Sequence, residues 1–544
     1  MTIPALQDPG RQRSTFARPA RLARPEGPEG LARPNRPGRP GRARPLAAAC
    51  AAFAVVGALA LAGCADQGSA AAGNNGEPGQ IPETIRIANE ATTNSVDPTL
   101  CGATEGFRLC YLTNGYLVEF GTGEPELAES LVAEEDNMVW TATLRPDLKF
   151  SDGSALTSED VVASIERYLA PPLEGTLEVL RNIESVGAVD ERTVTINLKE
   201  PDAFFVSSIS YERCAILPSD KLDDETLGNK PIGAGEYVLE EFDLAAGNFT
   251  LQANPNWWGD QPKVKTIEIT TVPDGATRLA QVRTGQVDYA KSVPANLVTD
   301  LPESLRVEKV GFPGGMIHLV FNANPDYGSV TSDVRVRQAI NIAVDRAQIA
   351  SVALKDFMDP LYGVPWIDPS DRAAPIERDL DRARELLRGT ACENGCPLRL
   401  INITDFNWQL PVTSTIVQQN LAEIGIDVEL VNTAQAATGQ IANDQWDGAV
   451  VDPGYAVMTD ASIAQGIVSA VWWGDGARYT ELVDLQEELA TATEEESAGI
   501  KERINESFAE IVPWVGLTDL YFLDVTSLPA DVISSPIGWK LIVA

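Results

Sequence analysis

The chain of 544 residues contains one histidine, His318, and only five methionines. A single imidazole is thin provision for a bare transition-metal ion, and it cannot supply a His-Glu-x-x-His zinc pair. No Gly-x-Ser-x-Gly elbow occurs either, so the common serine-hydrolase arrangement is missing. Carboxylates are scattered throughout and single out no acid pair of the glycosidase kind. A secreted hydrolase is therefore only a distant alternative, with no catalytic residue, no cofactor and no metal ligand assigned. His318 lies in the apolar run Met316-Ile317-His318-Leu319-Val320, which reads as a strand with the ring in the core. Basic side chains are also scarce, at 42 Lys and Arg against 78 Asp and Glu.

Ten of those cations are arginines in residues 1–45, beside only three acids, Asp8, Glu26 and Glu29. The uncharged run that follows, residues 46–61, is about 16 long and falls short of the roughly 20 needed to span a bilayer. A positive region, a short apolar region and small residues before Cys64 are the pattern of a secretory signal. Leu61-Ala62-Gly63-Cys64 resembles a bacterial lipobox, so residues 1–63 read as the signal and Cys64 as the lipidated residue. The long preamble suggests a start codon further downstream. Beyond residue 63 the chain holds 32 basic and 75 acidic residues, a net charge of about −43. Such a surface repels nucleic acid and resists lying flat on an anionic membrane, which makes a lipid tether the sensible attachment.

Residues 64–80 are small, polar and Gly-rich, the composition of a flexible tether. The remaining length exceeds one ordinary core and calls for at least two lobes. Outside the cell, cysteines pair. Cys392-Glu-Asn-Gly-Cys396 closes a tight loop, and Cys101 lies near Cys110, so two local disulfides with Cys214 left over are the simplest account.

Helix and strand patterns alternate through the middle of the chain. Thr157-Ser158-Glu159-Asp160 reads as a capping box opening a helix. Residues 193–198 alternate as a half-buried strand, and residues 333–354 read as one long helix. Residues 411–424 form a helix begun by Pro411 and ended by Gly425, and residues 426–430 a strand directly after it. Helix, glycine turn and strand make half of a crossover unit, so one sheet is mixed or parallel and the class is α/β.

Several segments carry a resemblance. Leu144-Arg145-Pro146-Asp147-Leu148-Lys149-Phe150-Ser151-Asp152-Gly153 runs on through Leu156-Thr157 to Asp160-Val161-Val162. Further along come Gly233-Ala234-Gly235-Glu236-Tyr237, Asn254-Pro255-Asn256-Trp257-Trp258-Gly259 and Phe321-Asn322. Asp333-Val334-Arg335-Val336-Arg337-Gln338-Ala339 and Ala343-Val344-Asp345-Arg346 complete the series. In this order they resemble the dipeptide-, oligopeptide- and nickel-binding proteins of ABC importers, over residues 85 to the C-terminus. The resemblance implies a two-lobed periplasmic-binding-protein-like fold (type II, large, cluster-C-like with an extra subdomain) and a hinge between lobes. Lobe I would comprise residues 81–312 plus 513–544 with an inserted subdomain, and lobe II residues 313–512. It further implies a monomeric, lipid-anchored receptor on the outer face of the cell membrane. This receptor would capture small peptides in the cleft and pass them to an ABC permease and ATPase complex. A same-fold receptor for a metal chelate, sugar or opine is the alternative.

Most of these landmarks read as scaffold. Trp257 and Trp258 are expected to plug a lobe core, and Arg335, Arg337, Asp345 and Arg346 to form ion pairs on the long helix. Ligand contacts are expected on loops after strands: Thr92 and Asn94, then Asn407 and Trp408, then Asp452 and Tyr455. Oligopeptide-binding relatives hold the peptide amino terminus with an Asp in the loop resembling residues 452–462.

Overall fold

The structure is a computed structural model. It describes residues 81–543 other than 94, 101–102, 120–122, 135–136, 171–179, 181, 203–204, 211–213, 244, 324, 405–406, 435–440, 443, 453–462, 464–479, 493, 530–531 and 535–541. The strands of the two larger sheets are β1 (Thr84–Asn89), β2 (Ala128–Glu134), β3 (Val139–Leu144), β4 (Ile183–Ala188), β5 (Thr193–Leu198), β6 (Tyr237–Asp243), β7 (Asn248–Ala253), β8 (Thr266–Thr271), β9 (Tyr289–Ala290), β10 (Arg306–Phe321), β11 (Cys396–Ile403), β12 (Ile426–Thr433), β13 (Gly448–Val451) and β14 (Trp514–Thr526). Ten of them form one mixed sheet in the order β12-β11-β13-β10-β14-β9-β1-β8-β7-β6, and β2-β3-β5-β4 form a separate antiparallel sheet.

Alternation explains the small sheet. Val139–Leu144 and Thr193–Leu198 each bury every second side chain, which leaves the intervening threonines on the outer face. Helix α1 (Ala103–Thr113) precedes this sheet, and α2 (Ser158–Leu169) covers it with Val161, Ile165 and Tyr168. The expected capping box opens α2: the Thr157 backbone N–H donates to Asp160 Oδ2 at 2.8 Å. Trp140, Phe150, Ile165 and Ile196 make this unit's own apolar core. A second core, of Ile87, Tyr237, Phe249 and Ile267, lies against β1 and β6–β8. The largest runs from Val293 and Leu523 through Ile317 and Leu517 to Leu400 and Trp446, and so follows β10 and β14 along their length.

Helix α3 (Gly275–Arg283) follows β8. The expected helix over 333–354 is broken: α4 (Val334–Ala343) ends at an extended Val344, a one-turn α5 (Arg346–Gln348) starts afresh, and a π turn follows over Ile349–Ala353. Asp345 causes the break. Its carboxylate accepts from Gln348 N, and its own N–H donates to Asn420 Oδ1, each at 2.8 Å. The expected ion pairs are only partly formed. Arg335 does pair with Asp333, but Arg337 and Arg346 are buried. Arg337 donates to the Ile511 and Thr331 carbonyls, and Arg346 to those of Leu361 and Gly516. Burial pulls the Arg346 guanidinium down to a pKa of about 10, which still leaves it charged.

Helix α6 (Leu380–Leu386) leads into β11 through the Cys392–Cys396 pair, whose sulfurs lie 2.05 Å apart. Helix α7 (Gln409–Ala422) joins the parallel neighbours β11 and β12, and so completes the crossover expected from its second half. It begins two residues ahead of Pro411, because the Asn407 side chain accepts from Gln409 N at 2.9 Å and starts the turn there. Helices α8 (Thr480–Thr491) and α9 (Glu494–Ile511) precede β14. The tryptophan pair departs from expectation. Trp257 is half-buried and Trp258 is 36% exposed, with Arg145 stacked over its ring at 4.2 Å. The pair closes the surface beside the small sheet and fills no core.

Gly233 explains part of the glycine-rich motif. A Cβ there would stand 2.1 Å from the Thr113 carbonyl oxygen at the end of α1. Backbone against backbone cannot rotate away, so Gly233→Ala should cost about 1–3 kcal/mol. Thermal unfolding followed by circular dichroism should show a midpoint several degrees lower, whereas an unchanged midpoint would mean that α1 moves freely.

Candidate functional site

Strand directions locate the site. β10 and β14 are antiparallel and are the only pair here that borders both halves of the large sheet: β13 lies beside the end of β10, and β9 beside the end of β14. Their register breaks in the middle. Gly311 faces Tyr521 and Met316 faces Asp519, so residues 312–315 of β10 stand against Leu520 alone. β1 and β9 run parallel to β10, and β9 climbs β14 from Thr526 to Val525; the chain then continues to Val293 N, which donates to Leu523 O. β13 runs the other way, with Gly448 at Phe321 and Val451 at His318. β11 is parallel to β13. The carboxyl ends of β1 on one side, and of β11 and β13 on the other, thus point at the break from opposite directions. Loops at carboxyl ends of strands are where α/β proteins place ligands.

Two of the expected residues meet directly. Asn407 Nδ2 donates to Asp452 Oδ2 at 3.0 Å and to Gln409 Oε1 at 3.2 Å. Trp408 is half-buried at the first turn of α7, packed against the large core, and its Nε1 has no hydrogen-bond partner among the described residues. Thr92 is exposed on the loop after β1, with β9 and β14 between that strand and β10. Nearby, Glu90 lies 3.8 Å from the buried Arg278, whose guanidinium is fixed by the carbonyls of Lys291, Val272 and Ser292. Asn94 and Tyr455 lie outside the described residues, as do Cys64 and Cys101. Cys110 is buried, with Sγ 3.4 Å from the Val96 carbonyl oxygen.

The structure adds residues that sequence patterns did not single out. Gln409 is fully buried, and its Nε2 donates to the Tyr521 carbonyl at 2.8 Å, next to the register break. Asp519 receives the Arg372 guanidinium at 3.0 Å, and its N–H donates to the Asp359 carbonyl at 3.0 Å. Burial is the main reason its carboxyl titrates above the ordinary range, with Asp359 adding to the effect against Arg372. Tyr521 is half-buried with a raised hydroxyl pKa, chiefly from burial, and Lys309 Nζ stands 5.7 Å above its ring. The only signal for Gln409 in the sequence was its place beside Asn407 and Trp408. Its acceptor is 112 residues away, beyond any local pattern.

His318 is in the core as expected, 1% exposed and edge-on to Trp514 at 5.4 Å. Its Nδ1 has no hydrogen-bond partner among the described residues. No described helix is long and apolar enough to cross a membrane.

Opposed loop sets on one mixed sheet fit the fold of two-lobed solute-binding proteins. The chain belongs to the bacterial extracellular solute-binding proteins, family 5, whose middle region matches residues 122–474. This is a family of binding proteins, not of enzymes. The glutathione-binding protein GsiB of Shigella flexneri is 27% identical over 312 residues, 56% of this chain and 60% of that protein. The match thus spans less than two thirds of the relative's length. Among solved structures, the periplasmic binding protein DppA from Helicobacter pylori, in complex with the peptide STSA, gives a TM-score of 0.71 at 22% identity. That alignment covers 85% of this chain and 96% of DppA. NikA from Brucella suis, in complex with Fe(III)-EDTA, gives 0.72 at 20% identity, covering 84% and 98%.

The buried imidazole makes stability depend on pH. Burial holds His318 at a pKa of about 3, against 6.5 in the open chain. The neutral ring is therefore favoured by the fold: its stabilisation is complete above pH 6.5 and is lost as the pH falls from there toward 3. The slope should approach about 1.4 kcal/mol per pH unit for this one proton. Denaturant midpoints at pH 7, 5 and 4 should decline less steeply in His318→Phe than in the parent, and equal slopes would contradict the assignment.

Proposed function

We propose that this chain is a lipid-anchored receptor on the outer face of the cell membrane. It captures small peptides at the β10–β14 crossing by closure of two lobes and delivers them to an ABC permease and its ATPase. The observation that carries this reading is the convergence of the β1, β11 and β13 carboxyl ends on one broken strand pair. Residues 81–312 with 513–544 form lobe I, and residues 313–512 form lobe II. Cys64 carries the lipid, residues 64–80 are the tether, and the protein acts as a monomer. Kinship with a glutathione-binding protein and likeness to a peptide-bound DppA favour a peptide-like ligand. Asp452, steadied by Asn407, supplies a carboxylate suited to a ligand ammonium group, and Thr92, Asn94, Trp408 and Tyr455 complete the contacts. Closure serves transport because only differential affinity for the closed form lets a permease distinguish a loaded receptor from an empty one.

Native mass spectrometry of the unlipidated chain starting at Ala65, with fragmentation of whatever is released, tests the ligand class. A ladder of small peptides supports the proposal; one non-peptide mass points to a chelate, sugar or opine receptor of the same fold. Asp452→Ala should weaken retention of the released material by roughly ten-fold or more, as loss of a charged hydrogen-bond acceptor would. In the full chain, radiolabelled palmitate should enter the parent and not Cys64→Ala. Labelling of both would move the anchor elsewhere. Non-reducing peptide mapping should recover Cys101–Cys110 and Cys392–Cys396 cross-links.

A further inference from the structure

Gln409 is the only described side chain that hydrogen-bonds both the Asn407–Asp452 pair and the broken segment of β14. Its Oε1 accepts from Asn407 Nδ2 at 3.2 Å, and that same nitrogen donates to Asp452 Oδ2 at 3.0 Å. Its Nε2 donates at 2.8 Å to the carbonyl of Tyr521, one residue past Leu520. The amide therefore spans from the loop ends of β11 and β13 to the far side of the register break.

The rest of β14 is held differently on the two sides of Leu520. Before it, Leu361 N donates to Leu517 O at 3.1 Å and Asp519 N to Asp359 O at 3.0 Å, while Arg372 pairs with Asp519 and Arg346 donates to Gly516 O. Beyond it, Val293 N donates to Leu523 O, and Asp524 takes Ser292 N and the Tyr289 hydroxyl, each at 2.8 Å. Before Leu520 the strand is thus held by residues 346–372, and beyond it by residues 289–293. Between the clamps lies the register shift, where residues 312–315 stand against Leu520, and Gly311 leaves no room there for a side chain, since a Cβ would stand 2.7 Å from Leu520 O. Rotation of one half against the other would be taken up between Asp519 and Tyr521 of β14 and across residues 312–315 of β10. A bond from Gln409 to the Tyr521 carbonyl is a bond across that pivot.

We propose that Gln409 is the positioning residue that couples occupancy of the Asn407–Asp452 site to the hinge angle. This rests on the binding reading above and adds to it the route by which a ligand on Asp452 is felt at the pivot. When a ligand cation draws on the Asp452 carboxylate, Asn407 Nδ2 shifts its share of bonding between Asp452 and Gln409. The amide of Gln409 then tightens or loosens its hold on Tyr521. A buried polar link of this kind has two settings, made and broken, because an unpaired carbonyl or amide is costly in a dry site.

Gln409→Glu gives a test that a merely space-filling role would not pass. A protonated Glu reproduces both bonds: its O–H donates to Tyr521 O and its carbonyl accepts from Asn407. An ionised Glu cannot donate. Burial raises its pKa, and so does Asp452 behind Asn407; the Tyr521 hydroxyl, Asp519, Asp359, Arg372 and Lys309 are the other titratable or charged groups near that carbonyl. Gln409→Met fills the same volume with no bond at either end.

The measurement is the interlobe distance distribution of the ligand-stripped full chain, by spin–spin distance spectroscopy between labels on the exposed positions Val189 and Val412, at pH 5 and pH 8. The parent should give the same distribution at both pH values. Gln409→Met should be broader or shifted at both, and Gln409→Glu should be shifted at pH 8 and return to the parent profile at pH 5. Parent-like distributions in Gln409→Glu at both pH values would overturn the proposal, even if Gln409→Met failed to fold. Glutathione added as a probe separates the two readings. Failure of the parent to bind it counts against the glutathione-like ligand and leaves the distance result to decide the role of Gln409.

Discussion

The two halves of the large sheet meet at the mismatch between β10 and β14, four residues against one. A continuous ladder of this length would be stiff, since each added pair shortens the freedom of the next. At 312–315 the ladder is irregular, so β10 and β14 pass this level with four residues against one, and a Cβ on Gly311 would stand 2.7 Å from Leu520 O. On either side β14 is held fast, by Arg372–Asp519 with Asp359 before the shift and by Asp524 with Tyr289 and Ser292 after it. The buried charges near the strand are satisfied, Arg346 by carbonyls, Asp519 by Arg372 and Asp524 by Ser292 N and the Tyr289 hydroxyl, which is what allows them inside.

The overall plan was legible in the sequence because it rests on local regularities. Thr157 and Asp160 announce α2, alternation announces β5, and Gly425 between α7 and β12 announces the crossover. Boundaries were less legible where side chains from elsewhere set them. Residues 333–354 look like one helix until Asn420, 75 residues further on, takes the Asp345 N–H and turns the chain aside. Arg337 and Arg346 read as surface charges because nothing near them in sequence says that carbonyls of β14 and its approach will surround them. Trp257 and Trp258 read as core for their size alone, and Arg145 is what lets Trp258 stay near water.

The site was legible only in part, for the same reason. Asn407 and Asp452 could be chosen because each follows a strand, and strand ends converge when neighbouring strands are parallel. Gln409, Asp519 and Arg372 join the site through partners that lie in other parts of the chain. The direction of β1 relative to β13 could not be read from composition or periodicity, since it follows from pairings across the whole sheet.

The route of β14 bears on how this chain comes to be folded at all. It begins at residue 514, yet it fills the slot between β10 and β9 and supplies the carboxylate that Tyr289 and Ser292 require. The first half of the large sheet therefore has no neighbour on that side until residues 514–526 have been synthesised. Contacts of such long sequence separation make folding slow and late. The two halves of the large sheet can be joined only after β14 has emerged, so their union is a late step of folding.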